Sequence, residues 1–137
     1  MKKLAIIIFL SIVLLGCSRS HLNDVETLMN TSLNGKVCYL TSEEYWQTFG
    51  GDGYRVEVYK ILDTEYLKSK CESDNYDSFD NNLSINPEYS KYINNGAGYY
   101  KRIYRESEII ELTIDTINNK LIYCYCYLWF LVITADL

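Results

Sequence analysis

The chain has 137 residues, of which 48% are hydrophobic and 15% aromatic, and its 18 acidic residues outnumber 13 basic ones to give a net charge of -5. This length suits one domain with a real hydrophobic core. The acidic balance argues against nucleic acid or anionic lipid as a binding partner, because both need basic patches, and it favours a basic protein partner.

The first sixteen residues have the layout of a signal peptide. Lys2 and Lys3 precede an apolar run from Leu4 to Leu15 that only Ser11 interrupts. As a helix this run reaches about 18 Å, which is short for a hydrocarbon core of about 30 Å. We therefore expect residues 1–16 to be removed, which leaves 11 basic residues against 18 acidic ones and a net charge of -7.

The junction Leu14-Leu15-Gly16-Cys17 resembles the lipobox of bacterial lipoproteins. The resemblance implies that Cys17 is diacylated, becomes the first residue after cleavage, and is then often N-acylated with a palmitate-type chain. It covers only the first seventeen residues. Two or three acyl chains would hold the protein permanently at a membrane of the cell envelope. Because Ser18 rather than Asp follows the anchor, the resemblance points to the periplasmic face of the outer membrane in a Gram-negative host.

An ordinary secretory signal or an uncleaved anchor is the alternative to lipidation. Behind Cys17, residues 17–23 are short and polar and predict a lipidated tether, which contains the single histidine, His21. We expect residues 24–137 to form one α+β domain. Apolar residues at helical spacing predict that this domain opens with a helix, capped at Asn23 or Asp24 and stopped at Gly35.

A short strand is predicted over residues 36–40. Thr41 and Glu44 then form a capping-box pattern, which predicts a brief helix carrying Tyr45, Trp46 and Phe49. The glycine-rich residues 50–53 predict a tight turn. Alternating apolar residues from Tyr54 to Ile61 predict a strand with one face in the core.

Asp63 is the predicted N-cap of a helix that continues to about Cys71. Residues 72–83 are polar and acidic and predict a surface loop. Pro87 begins another helical turn that ends near Gly96. Three aspartates of the acidic loop could gather around Ca²⁺, but their spacing is not that of an EF-hand, and a solvated loop is favoured. They are Asp74, Asp77 and Asp80.

Three strands are predicted at the C-terminal end, over residues 99–105, 109–115 and 120–134, with Asn118-Asn119 turning the chain between the last two. Their order along the chain predicts an antiparallel meander. The expected fold is therefore α+β, with a sheet of four to six antiparallel strands, the meander at its heart, and two or three short helices packed mainly on one face.

Four cysteines remain behind the anchor: Cys38, Cys71, Cys124 and Cys126. An even number in an exported chain predicts disulfides. Cys124 and Cys126 face the same side of one strand with Cα atoms about 6.6 Å apart, near the upper limit for a mutual bridge, so each is expected to pair with Cys38 or Cys71. The alternative is that some are buried apolar thiols. No metal site is expected, because the only histidine lies in the tether.

Successive side chains of a strand point to opposite faces of the sheet. The face opposite Cys124 therefore carries Tyr123, Tyr125, Tyr127 and Trp129. These rings could form an aromatic binding surface or lie in the core beneath helices. The core interpretation is favoured for a central strand.

Catalysis has little support in the sequence. Ser/His/Asp and Cys/His chemistry need a histidine in the folded site, and His21 is four residues from the anchor. We therefore expect a non-enzymatic, cofactor-free lipoprotein that binds another protein. Two alternatives stay open: an inhibitor or immunity protein against a basic enzyme or toxin, by analogy of size and charge, and a small envelope hydrolase that uses carboxylates alone.

Overall fold

A computed structural model of the chain describes residues 22–46, 53–80, 91–93 and 95–127. The chain divides into two compact units, Met1–Asn34 and Gly35–Leu137. The first contains helix α1, over residues 22–29, and the second contains a six-stranded antiparallel sheet and one further helix. The fold is therefore α+β, as expected, with the sheet dominant and the helices few. The described residues contain no helix long and apolar enough to cross a membrane.

Helix α1 buries Val25 and Met29. It ends at Asn30 rather than at Gly35, where the stop was predicted. Asn30 has a φ of 51°. The amide of the next residue, Thr31, donates 3.2 Å to the carbonyl of Glu26. This pair of features is a Schellman cap, in which asparagine replaces the more common glycine because it also tolerates the left-handed conformation.

The sheet has the strand order β1-β2-β6-β5-β4-β3, and every neighbouring pair is antiparallel. Consecutive strands β4, β5 and β6 form the predicted C-terminal meander. The hairpin of β1 and β2 pairs with β6 and extends the sheet beyond it. The strands are β1 (Val37–Trp46), β2 (Gly53–Ile61), β3 (Asp77–Phe79), β4 (Gly98–Arg105), β5 (Glu108–Asp115) and β6 (Lys120–Tyr127).

Strand β1 corrects one sequence prediction. Thr41 and Glu44 do not cap a helix, because β1 continues unbroken to Trp46 and pairs with β2 along its length. A register shift between Tyr39 and Thr41 marks a bulge at Leu40. The capping-box pattern is local, whereas pairing with β2 satisfies backbone groups along ten residues, and the pairing prevails.

Helix α2 (Thr64–Ser73) begins where it was predicted. The carboxylate of Asp63 accepts a hydrogen bond of 3.1 Å from the amide of Tyr66, as an N-cap should. The helix ends in a second Schellman cap, in which Asn75 has a φ of 56° and the amide of Tyr76 donates 3.0 Å to the carbonyl of Cys71. Beyond this cap, β3 lies inside the region predicted as a loop.

The two faces of the sheet carry different side chains. Helix α2 lies on one of them, because Glu72 accepts a hydrogen bond from Tyr99 and Tyr99 aligns across the sheet with Ile114. We call this the helix face; its buried members include Tyr59, Leu112, Ile114 and Leu121. The opposite side is the thiol face, whose core is formed by Val56, Val58, Ile122, Cys124 and Cys126.

The predicted continuation of β6 to Thr134 and the helical turn at Pro87 lie outside the described residues. The predicted turn at Asn118-Asn119 is confirmed. Asn119 has a φ of 54°, and its carbonyl accepts a hydrogen bond of 2.8 Å from the amide of Ile61 in the neighbouring hairpin.

Candidate functional site

Exposed large hydrophobic side chains concentrate on β1. In the described part of the chain seven such residues are exposed, and four of them belong to this strand. A concentration of this kind on one element is typical of an interaction surface, whereas single exposed residues elsewhere are normal. We call these four residues the β1 edge surface: Tyr39, Leu40, Tyr45 and Trp46.

Strand β1 is also an edge of the sheet. It stands at one end of the strand order, and within the described residues only its β2 side is paired. The strand at the other end, β3, has only three residues. A short edge offers little to another chain, but a ten-residue edge presents a row of amide and carbonyl groups that an extended peptide can pair with.

On the thiol face, an ion pair and a hydrogen bond attach β1 to residues 91–93. Glu43 accepts hydrogen bonds from Lys91 and, at 2.8 Å, from the hydroxyl of Tyr92. The hydrogen bond from Lys91 lowers the pKa of Glu43. The 91–93 segment is bound to the sheet a second time, because Lys120 donates 3.3 Å to the carbonyl of Tyr92. These contacts fix the middle of β1 in place.

On the helix face, Trp46 lies over the backbone of Gly53. A Cβ atom on Gly53 would come within 2.0 Å of the indole ring, so only glycine permits this position. The Trp46 ring centroid is 6.3 Å from that of Tyr125. Tyr125 in turn donates 2.8 Å to Glu108, and burial together with this hydrogen bond raises the pKa of Tyr125 to about 12. Trp46 is thus half-exposed, and its contacts with Gly53 and Tyr125 fix the position of its ring.

A buried carboxylate supports the β1–β2 hairpin beneath this surface. Glu57 is 1% exposed; it accepts 2.7 Å from the Tyr59 hydroxyl and lies 3.4 Å from the Nε of Arg55. Burial and the Glu57 carboxylate raise the pKa of Tyr59. The Tyr59 ring meets Tyr39 of β1 edge-on at 5.9 Å. The Glu57 carboxylate is thus paired with a guanidinium and accepts a hydrogen bond, as a buried charge requires.

The other buried carboxylates also have structural roles. Glu111 lies 3.2 Å from the Nε of Arg102. Asp115 accepts 3.0 Å hydrogen bonds from the amides of Ile117 and Asn118 and closes the β5–β6 turn. Each of these carboxylates stabilises the fold. Their arrangement does not resemble a catalytic pair of carboxylates on either side of an open cleft.

The structure brings none of the expected disulfide pairs together, and none of the four described cysteines forms a disulfide. Cys38 aligns with Lys60 and through it with Lys120, about 13 Å along the sheet from Cys124. Cys71 lies on α2, so the sheet separates it from Cys124 and Cys126. Burial raises the pKa of Cys71 to about 12, as for an inert apolar thiol.

The three aspartates considered for Ca²⁺ do not converge. Asp74 caps α2 and lies 3.2 Å from Lys70, while Asp77 begins β3 and Asp80 follows it. Within the ranges that the structure describes, no group of three His, Cys, Asp or Glu side chains could hold a metal ion. The lipidation candidate Cys17 and His21 lie outside the described residues, as do Phe49 and Trp129.

The aromatic surface is not where the sequence placed it. Tyr123 is buried, in agreement with the core interpretation, and Tyr125 and Tyr127 are half-buried. Apart from Tyr104 on β4, the exposed rings among the described residues belong to β1. Tyr39 lies in its predicted strand portion, whereas Tyr45 and Trp46 lie where a brief helix was predicted. The sequence carries only a weak strand signal here: Thr41, Tyr45 and Trp46 are β-formers, but two glutamates lie between them.

Neither a protein-family model, nor a curated protein, nor a solved structure matches this chain.

Proposed function

We propose that this protein is a lipid-anchored, non-enzymatic binding protein of the cell envelope, and that it recognises its partner by adding an extended segment of that partner to β1. Cys17 is the anchor in this proposal. In a Gram-negative host it would hold the domain at the periplasmic face of the outer membrane.

The observation that carries the proposal is the coincidence of two features on one strand. Strand β1 is a long sheet edge, and it holds the four residues of the β1 edge surface. In strand addition the backbone supplies affinity and alternate side chains supply specificity. Tyr39 and Trp46 point to the helix face and Tyr45 to the thiol face, so both sides of an added strand would meet an aromatic ring.

The charge of the protein favours a basic partner segment. Glu44 is exposed near the C-terminal end of β1, and the chain after removal of the signal peptide would have a net charge of -7. Opposite charges steer association and fix register more than they add affinity. We therefore expect binding to weaken as salt rises, with the aromatic contacts retaining part of the affinity.

Inhibition of a basic enzyme or toxin is a second candidate function, and the same acidic edge favours it. In that case the partner segment would belong to the enzyme and its capture would stop turnover. A carboxylate-dependent hydrolase receives less support, because Glu57, Glu111 and Asp115 are each committed to structural contacts.

Site-specific photo-crosslinking in the producing cell tests the proposal. A photoreactive phenylalanine analogue replaces Leu40 or Tyr45 on β1, and in matched controls it replaces Tyr104 or Ile117. The controls are more exposed than the test positions, at 67% and 63% against 49% and 54%, so a lack of adducts there would not result from burial. We expect one discrete adduct from the β1 positions and none from the controls. Equal adducts at all four positions, or adducts only at the controls, would contradict recognition through β1.

A further inference from the structure

Cys124 and Cys126 form a close pair of thiols in the middle of the sheet. They stand two residues apart on β6 and point to the same face, with their Sγ atoms 3.7 Å apart. Cys124 is 1% exposed and Cys126 is 6% exposed. The pair therefore presents two soft donor atoms at one point, screened from bulk water.

The surroundings of the pair are apolar and are closed by a segment from outside the sheet. Tyr54 and Ile109 flank the pair on the neighbouring strands, and Tyr92 and Ile93 pack over the same cluster. The 91–93 segment that carries them is bound to Glu43 and Lys120 at the surface. A ligand at the thiols would reach them by displacing this segment, while the strands stay in place.

A direct bond between the two sulfur atoms does not suit this geometry. Residues two apart on a strand have Cβ atoms about 6.6 Å apart, whereas a disulfide needs a separation of about 3.5–4.5 Å. An atom placed between the sulfurs removes this conflict. At the metal–sulfur distance of about 2.3 Å found in zinc thiolates, a linear two-coordinate ion needs sulfurs about 4.6 Å apart. The sulfur atoms are 3.7 Å apart, and side-chain rotation can supply the remaining separation of about 0.9 Å, because the Cβ atoms are about 6.6 Å apart.

We propose that Cys124 and Cys126 bind a soft cation that takes two thiolate ligands. Cuprous copper, Cu(I), is the cation of this class considered below. Thiolate ligands select Cu(I) over harder ions. The described residues provide no third His, Cys, Asp or Glu donor for this ion, so a two-coordinate cation fits better than tetrahedral zinc. Both thiols lose their protons to solvent, two metal–sulfur bonds form, and no electron is transferred. The Cys-x-Cys spacing alone did not favour a metal; the convergence of the sulfurs does.

The test uses the full chain purified in detergent under reducing, oxygen-free conditions, with Cys38→Ser as the host variant because Cys38 is the exposed thiol. Cu(I) is titrated against a chromogenic copper chelator. We expect one equivalent to bind, with a loss of about a hundredfold or more in affinity for Cys124→Ser or Cys126→Ser. Cys71→Ser, on the other face, is the matched control and should retain binding. Unchanged affinity in either β6 variant would overturn the proposal.

X-ray absorption on the Cys38→Ser protein gives a readout that does not depend on folding of the β6 variants. Two sulfur neighbours around copper are expected. Nitrogen or oxygen neighbours, or a stoichiometry that falls to zero when Cys38 is replaced, would assign the copper elsewhere. Photo-crosslinking at β1 does not involve these thiols, so the metal proposal and the proposed function stand or fall separately.

Discussion

Tyr59→Phe isolates one hydrogen bond in the network beneath the β1 edge surface. The substitution keeps the ring and its edge-on contact with Tyr39 at 5.9 Å. It removes only the hydroxyl that donates 2.7 Å to Glu57. Because Glu57 is 1% exposed and Tyr59 is 2% exposed, water cannot replace the lost donor without opening the β1–β2 hairpin.

The expected cost follows from the charge of the acceptor. Hydrogen bonds to charged groups contribute about 1.5–3 kcal/mol, and a buried acceptor left short of a donor carries the desolvation penalty in full. We expect the free energy of unfolding to fall by about 2 kcal/mol. For a chain of this size that is a decrease in Tm of roughly 6–10 °C.

Urea unfolding followed by circular dichroism measures this change, with Tyr104→Phe as the matched control. The Tyr104 side chain is 67% exposed and its hydroxyl is 3.5 Å from Arg102 at the surface, so its loss should change stability by less than about 0.5 kcal/mol. If Tyr59→Phe cost no more than Tyr104→Phe, the buried network would not support the hairpin and the argument for a rigid β1 would fail.

Three further predictions concern the surface, the anchor and acid stability. Trp46 is 43% exposed, which is about 110 Å² of residue surface, so Trp46→Ala should weaken partner binding by up to about 2.7 kcal/mol, roughly a hundredfold by calorimetry. Cys17→Ala should leave the chain at precursor size; membrane-bound protein of mature size would contradict lipidation. The pKa of Glu43 is lowered in the folded state from 4.5, so its contribution to stability is present above that pH and is lost as pH falls through the lowered value. Glu43→Gln should reduce the fall in Tm that accompanies acidification. If the dependence of Tm on pH were unchanged by this substitution, the stabilising role of the Glu43 carboxylate would be refuted.

The meander and α2 could be predicted because their signals are local. Alternation of apolar residues identifies β5 and β6, and Asp63 with an acidic first turn identifies the start of α2. The alternation of side chains along β6 also predicted that Cys124 and Cys126 lie on the same face of the sheet. That they lie 3.7 Å apart depends on side-chain rotamers, which the spacing does not determine.

The start of β1 lies in the strand predicted over residues 36–40, but its continuation to Trp46 could not be predicted because it depends on distant residues. Nothing between Val37 and Trp46 shows that β2 will pair with this stretch, and Thr41 with Glu44 supplies a competing helix signal. The end of α1 was predicted at Gly35, whereas Asn30 terminates the helix with a positive φ angle; the end of α2 was predicted near Cys71, two residues before its observed end. The sequence likewise could not show which cysteines lie close enough to pair, because that depends on which face of the sheet α2 covers.

Hydrogen exchange on the chain with and without its crosslinking partner tests the central claim most directly. If the partner adds a strand to β1, amides of peptides covering Val37–Trp46 should exchange at least about tenfold more slowly in the complex, because they gain hydrogen bonds. Peptides covering β4 at the other side of the sheet should be unchanged. Protection at β4 with none at β1 would contradict the proposal that this protein recognises its partner through the aromatic edge strand.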